Sequence, residues 1–356
     1  MNKIYKLVWN ASSGCWSVAS EFARKGKPGR GARRLILATG LLAVSGASMS
    51  ATFAEQCTTD DSSTPKTITC KNNISKATVR YVIPTPDTVM VVPEGTNIEL
   101  IGGTKLSPTT ILGNDKPLEN NAIINNGNIL WTEASGYHKK VRPAVVLNLY
   151  ANNINSASFH NGKNGKVAIE MYRNGISGNY STAVAFISAD SGKPVLNNEG
   201  EMSITSPGKV SDNDFQKQYG GYVRGKNPEI TNSGTVIIQA FKNISGFGLM
   251  TSAKGGQASL INTGKVEVSS EAGKVQGVTA YGDKASTSTL DNQGTITVST
   301  TTGEATGAYS SVSGNITINN QSNITATATE SGIARASVLT GIIQAPPRLI
   351  TRAPLL

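Results

Sequence analysis

Three nine-residue strings recur in this chain at a fixed spacing, and that recurrence limits the fold more than any other feature. Ile230-Thr231-Asn232-Ser233-Gly234-Thr235-Val236-Ile237-Ile238 is echoed by Leu260-Ile261-Asn262-Thr263-Gly264-Lys265-Val266-Glu267-Val268 and by Leu290-Asp291-Asn292-Gln293-Gly294-Thr295-Ile296-Thr297-Val298. Asn232, Asn262 and Asn292 stand 30 residues apart, as do Gly234, Gly264 and Gly294. A weaker copy precedes them (Asn198, Gly200, Met202, Ile204), a degraded one follows (Asn320, Ser322, Ile324), and a further copy is suggested at Asn125, Gly127 and Ile129. Each repeat carries a second motif about fifteen residues on: Gly246-Phe247-Gly248-Leu249, then Gly277-Val278-Thr279-Ala280, then Gly307-Ala308-Tyr309. Fixed periods of roughly 20–50 residues mark solenoids and arrays.

The element type follows from the alternation in Val266-Glu267-Val268 and Ile296-Thr297-Val298, which has the period of a strand. Threonine, valine and isoleucine suit pleated structure. Glycine and asparagine before each strand suit the positive φ of a tight corner. One repeat holds too little apolar surface to fold alone, so neighbours must stack. The expected fold is all-β: a right-handed parallel β-helix with ~30-residue coils over residues 111–341, its corners marked by the repeated Asn and Gly positions. A two-sheet sandwich is the rival, but it would not produce such regular echoes. Residues 55–110 are less regular, with Pro65, Pro84, Pro86, Pro93 and Pro108 around Val89-Met90-Val91-Val92. They read as an N-terminal cap, since proline is confined to sheet edges and strand starts. Residues 342–356 form a Pro/Arg tail of different texture.

The N-terminus has another character. Lys3 and Lys6 flank a short apolar run ending at Trp9, a second basic cluster runs from Arg24 to Arg34, and an uncharged stretch follows from Leu35 to Ala54. Secretory signals use one basic and one apolar segment before a small-residue cleavage site. Here the unit is doubled. With Asn2, Lys3, Ile4, Tyr5, Trp9, Asn10, Gly14, Trp16, Ser20 and Glu21 in place, residues 1–54 resemble the cleaved extended signal peptide of type V secretion proteins of Gram-negative bacteria.

That resemblance implies export by the Sec translocon, removal by signal peptidase and a β-helical passenger. It favours an adhesin-like autotransporter passenger of the bacterial cell surface, bound to a host-cell or matrix receptor. A two-partner-secretion exoprotein is the alternative, although the asparagine-proline-asparagine motif usual near its mature N-terminus does not occur. A secreted hydrolase on a β-helix is the third reading. Type V proteins need a translocator, and residues up to Leu356 contain no barrel-like series of roughly ten-residue alternating strands. The expectation is a truncated passenger, periplasmic as it stands.

Charge supports the division at Ala54. Residues 1–54 hold eight basic residues and one acidic, whereas the remainder holds 25 basic against 22 acidic. The basic excess belongs mostly to the leader, which removes the argument for nucleic-acid binding. Cys57 and Cys70 remain after the leader, and in an oxidising compartment they read as a disulfide. Closing that loop would stabilise the fold by ~3 kcal/mol in the chain-entropy picture.

Residues with catalytic potential are few. The histidines are His138 and His160. Asp190-Ser191-Gly192 lacks the glycine before the aspartate that a chymotrypsin-like motif requires, and Asp-Ser-Gly is common turn chemistry. His160-Asn161-Gly162-Lys163-Asn164-Gly165-Lys166 reads as a loop. Gly220-Gly221 and Gly255-Gly256 read as turns, since no helix follows to cradle phosphate. Asp212-Asn213-Asp214 lacks the glutamate of an EF-hand. No enzymatic activity, cofactor or metal is expected. The tyrosines Tyr137, Tyr150, Tyr172, Tyr180, Tyr219, Tyr222, Tyr281 and Tyr309 are left either stacked along the coils or facing a partner.

Signal cleavage after Ala54 is expected, with Ala47 and Ala51 as alternative sites. N-terminal sequencing of the exported protein should begin at Glu55; a chain still beginning at Met1 would overturn cleavage.

Overall fold

The computed structural model describes residues 5–10, 15–20, 56–70, 73–77, 82–102, 112–114, 116–133, 145–151, 156–171, 181–205, 217–240, 244–283, 285–340 and 350–351. They fall in two units, Met1–Ser50 and Ala51–Leu356. In the first, Tyr5–Asn10 pairs antiparallel with Cys15–Ser20, setting Trp9 opposite Trp16.

The second unit is a parallel β-helix of three sheets. Among the described residues the first sheet has eleven strands, the second nine and the third eight. The chain visits them in turn. The Gln257–Asn262 strand lies in the first sheet, Lys265–Ser270 in the second and Val275–Gly282 in the third; Thr287–Asn292 then returns to the first. Every coil-to-coil pair is parallel. Leu260 therefore stacks on Leu290, Val266 on Ile296 and Val268 on Val298. All six are essentially unexposed, each contributing about 1.5–3 kcal/mol by leaving water.

The corner between the first and second sheets is an asparagine ladder. Seven first-sheet strands end on asparagine: Asn125, Asn161, Asn198, Asn232, Asn262, Asn292 and Asn320. Each Nδ2 from Asn125 to Asn292 donates to the Oδ1 of the next asparagine along the stack, at 2.7–2.8 Å. The same nitrogen reaches a carbonyl of its own corner, as from Asn125 to Gly127 at 3.2 Å. The six asparagines from Asn125 to Asn292 are wholly buried, so these bonds also offset the cost of removing amides from water. The ladder opens at one end. Asn125 aligns with Val92 in the preceding coil, which has no side-chain donor, and its Oδ1 is left without a partner.

The corner glycines answer a different need from the one expected. Positive φ among the described residues occurs at Asp87, Asn120, Ala285, Gly95, Gly113 and Gly255, and not at the ladder corners. A Cβ on Gly234 would overlap the carbonyl oxygen of Gly200; the same holds for Gly264 against Gly234 and for Gly294 against Gly264. Glycine stands there because successive backbones pass too close for a side chain, not because of its φ range. Asparagine stands there for its side-chain amide.

Three further expectations change. The period is 30 residues only between Asn232, Asn262 and Asn292; earlier ladder steps span 36, 37 and 34 residues and the last spans 28. The stretch from His160 to Lys166 is not simply a loop. Ser158–Asn161 and Lys166–Glu170 are strands, and Asn161 is a rung of the ladder. The coils also begin before residue 111, inside the expected cap. Thr88–Val92 and Asn97–Gly102 already stack in parallel on the strands that follow. At the first-sheet edge, Cys57–Asp60 runs antiparallel to Lys66–Cys70 and a disulfide joins Cys57 to Cys70. In the tail, Ile350–Thr351 pairs parallel with Asn319–Asn320.

Asn262→Ala should destabilise the fold by about 2–4 kcal/mol, since it leaves one N–H of the Asn232 amide and the Asn292 acceptor buried and unpaired. Thr263→Ala, beside it, should cost under about 1 kcal/mol. Urea unfolding followed by circular dichroism measures both, and equal losses would remove the ladder's special role.

Candidate binding face

The third sheet departs from simple alternation, and this shapes its outer surface. In Lys217–Gly225, ideal Cβ positions at both Gly220 and Gly221 point into the coil: Gly220 toward Val236 and Ile238, Gly221 toward Leu196 and Leu249. Two consecutive inward residues leave Tyr219 and Tyr222 on the same outer face. Gly248, Gly277 and Gly307 repeat the arrangement in later coils, each against a second-sheet side chain (Val266, Ile296 and Ile324) and the next coil's backbone. The second motif of the repeat is therefore a bend within a strand. Gly220-Gly221, expected as a turn, lies mid-strand because close packing against the second sheet demands glycine. Gly255, with φ of 72°, does sit in a bend.

On this face the aromatic side chains form a cluster separate from the interior core. Tyr219, Phe247 and Met250 are its centre, flanked by Phe186, Tyr222 and Tyr281. Tyr219 stacks on Tyr222 at 5.1 Å and on Phe247 at 5.0 Å, while Phe186 meets Tyr222 edge-on at 5.2 Å. Tyr281 and Tyr309 continue the row at 5.3 Å, with Lys274 Nζ 5.4 Å from the Tyr309 ring centre. Such ring pairs add about 0.5–1.5 kcal/mol beyond burial. Beside them lies a groove of about 420 Å³, lined by Lys217, Tyr219, Arg224, Phe247, Met250 and Tyr281 among others.

Of the tyrosines singled out in the sequence, four come together here, while Tyr150 donates to Asp190 at 3.4 Å. Tyr137, Tyr172 and Tyr180 lie outside the described residues, as do His138, Asp212-Asn213-Asp214, Ala54 and the signal residues Asn2, Lys3, Ile4, Gly14 and Glu21. Phe186 escaped the sequence reading, and Phe247 entered it only as part of the repeat's second motif.

Asp190 of the Asp-Ser-Gly string is held by the Lys254 ammonium, two coils on, and by Tyr150. Lys254 holds its carboxyl below the ordinary range, more strongly than Tyr150 does. The structure gives His160 an amide partner in Asn197 at 3.0 Å and an acidic neighbour in Glu199 at 4.0 Å. Burial, aided by Tyr309, pushes the Tyr281 hydroxyl up to about 12.

These shifts give the fold opposite pH slopes at the two extremes. The Asp190–Lys254 clamp stabilises above the ordinary aspartate range and is lost as acid protonates Asp190. An unfolded Tyr281 ionises near its ordinary value of 10.0, so between there and about 12 the unfolded chain holds fewer protons and stability falls as pH rises. Discounted for the half-exposed ring, the alkaline loss is on the order of 1 kcal/mol. Tyr281→Phe should flatten that alkaline slope in urea midpoints taken at pH 9 and pH 11.5; an unchanged slope would refute the assignment.

Residues 1–49 match the family model described as the Extended Signal Peptide of Type V secretion system. No curated protein and no solved structure matches the chain. The doubled basic-apolar leader is thus the extended signal peptide of type V secretion (autotransporter) proteins, and it marks this β-helical chain for Sec-dependent export across the inner membrane.

Proposed function

We propose that the exported β-helix is an autotransporter passenger that works as an adhesin-like binding protein at the bacterial surface, with a host-cell or matrix receptor as partner. The observation that carries this reading is the conjunction of a type V signal with an aromatic row on one outer face of a solenoid. Stacked coils repeat the same side-chain position along the face, so one weak contact can recur many times. Aromatic residues are the side chains most enriched where proteins meet partners.

Binding without catalysis is the reading that suits the polar groups. Asp190 is engaged by Lys254 and Tyr150, so the one protease-like string has its carboxylate committed to a coil-to-coil clamp.

Protein exported from cells carrying the full chain, labelled and applied to epithelial cells and to immobilised matrix proteins, should bind saturably. Absence of saturable binding to every surface would sink the adhesin-like reading. Cleavage of a peptide or glycan substrate by the same preparation would favour the hydrolase instead.

A further inference from the structure

We propose that the groove on the outer face of the third sheet binds an acidic polysaccharide, a linear glycan bearing repeated sulfate or carboxylate groups. This rests on the binding function proposed above and names its site and ligand class.

The aromatic geometry comes first. Tyr219 is stacked between Tyr222 and Phe247, with interplanar angles of 23° and 20°. Those rings use their faces on one another. Both faces of Tyr219 are thereby taken, which leaves its edge, the positive part of an aromatic quadrupole, for a ligand. A flat ligand that needs a free ring face, a nucleobase above all, finds none on Tyr219.

Charge decides the sign of the ligand. Lys217 and Arg224 line the groove from the two ends of one strand, and both are exposed. Neither makes a close ion pair among the described residues, although the Asp190 carboxylate, held by Lys254, is near enough to feel the Arg224 charge. Seven residues of a bent strand set their Cα atoms at most about 23 Å apart, a spacing that suits anions at intervals better than a single small one. Lys254, the third lining cation, is already neutralised by Asp190. The lining carboxylate, Asp283, has Oδ1 tied to the preceding coil and to its own turn, accepting from the Gly255 N–H at 2.6 Å and from Ser286 Oγ at 2.8 Å, and Lys217 with Arg224 outnumber it. Tyr281 keeps its proton through the physiological range and adds a neutral hydroxyl. Two separated cations, hydroxyls between them and an open groove of about 420 Å³ suit a hydroxyl-rich chain with anions at intervals.

The test uses the full-length exported protein and four immobilised or competing probes: dextran sulfate, neutral dextran, a single-stranded DNA oligonucleotide and epithelial cells. Dextran sulfate should bind, weaken as salt rises and compete with the cells, while neutral dextran should not bind. The double variant K217A/R224A should lose about tenfold in affinity for dextran sulfate. A control removing two lysines of the second sheet, K166A/K265A, should stay within about twofold. Both pairs are exposed, so circular dichroism and thermal midpoints should match the parent protein.

The proposal is overturned if dextran sulfate fails to bind, if neutral dextran binds as well, if the control variant loses as much, or if the oligonucleotide binds more tightly than dextran sulfate. Saturable cell binding that dextran sulfate does not compete for refutes this site and leaves the adhesin-like function standing. Loss of cell binding altogether refutes that function, and the dextran sulfate arm is still read separately.

Discussion

The side-chain amide of asparagine carries a donor on one atom and an acceptor on another, and the corner of this β-helix uses both. Parallel strands repeat about every 4.8 Å, close enough for one amide to reach the next, and six such bonds run from Asn125 to Asn320. Because the amides are buried, a register slip of one residue would break the row of bonds and turn Leu260 and Leu290 outward with it. The ladder thereby ties hydrophobic register to polar register. Its direction is uniform, each nitrogen facing the following coil, which is why the unmet acceptor lies at Asn125, where Val92 precedes it.

A fixed corner lets coil length vary elsewhere. The connection from the second to the third sheet takes eleven residues after Glu133 and after Thr205, but four after Ser270 and three after Thr300. The first-to-second-sheet turn stays short wherever the asparagine and glycine rows govern it. Variation thus falls on the other two corners, since the third-to-first connection also ranges from eight residues after Gly113 to three after Gly225, and the third sheet still stacks coil on coil. Its glycine row draws the backbone against the second sheet and directs Tyr219 and Tyr222 outward together. The feature that closes the packing inside also builds the aromatic row outside.

The beginning of the β-helix is handled by covalent chemistry. An open sheet edge invites pairing with other chains. Here Cys57–Asp60 folds back antiparallel on Lys66–Cys70, and the disulfide pins the hairpin at the end where the two cysteines face each other.

All-β character, stacking and the ladder positions at Asn232, Asn262 and Asn292 were legible because equal coil lengths leave equal spacings in the chain. Asn161 was not, since its coil is longer and the Asn-Gly pair after it looks like an ordinary turn. The export segment was legible from its residues alone, since a signal is read as a linear sequence. Only the tertiary structure decided why glycine occupies the corners, how Lys254 comes to hold Asp190 across 64 residues, and that Tyr219, Tyr222, Phe247 and Tyr281 share one face. Those facts depend on how close neighbouring backbones approach and on which coil lies over which. Spacing along a chain fixes the repeat, and packing distance between its turns decides the surface.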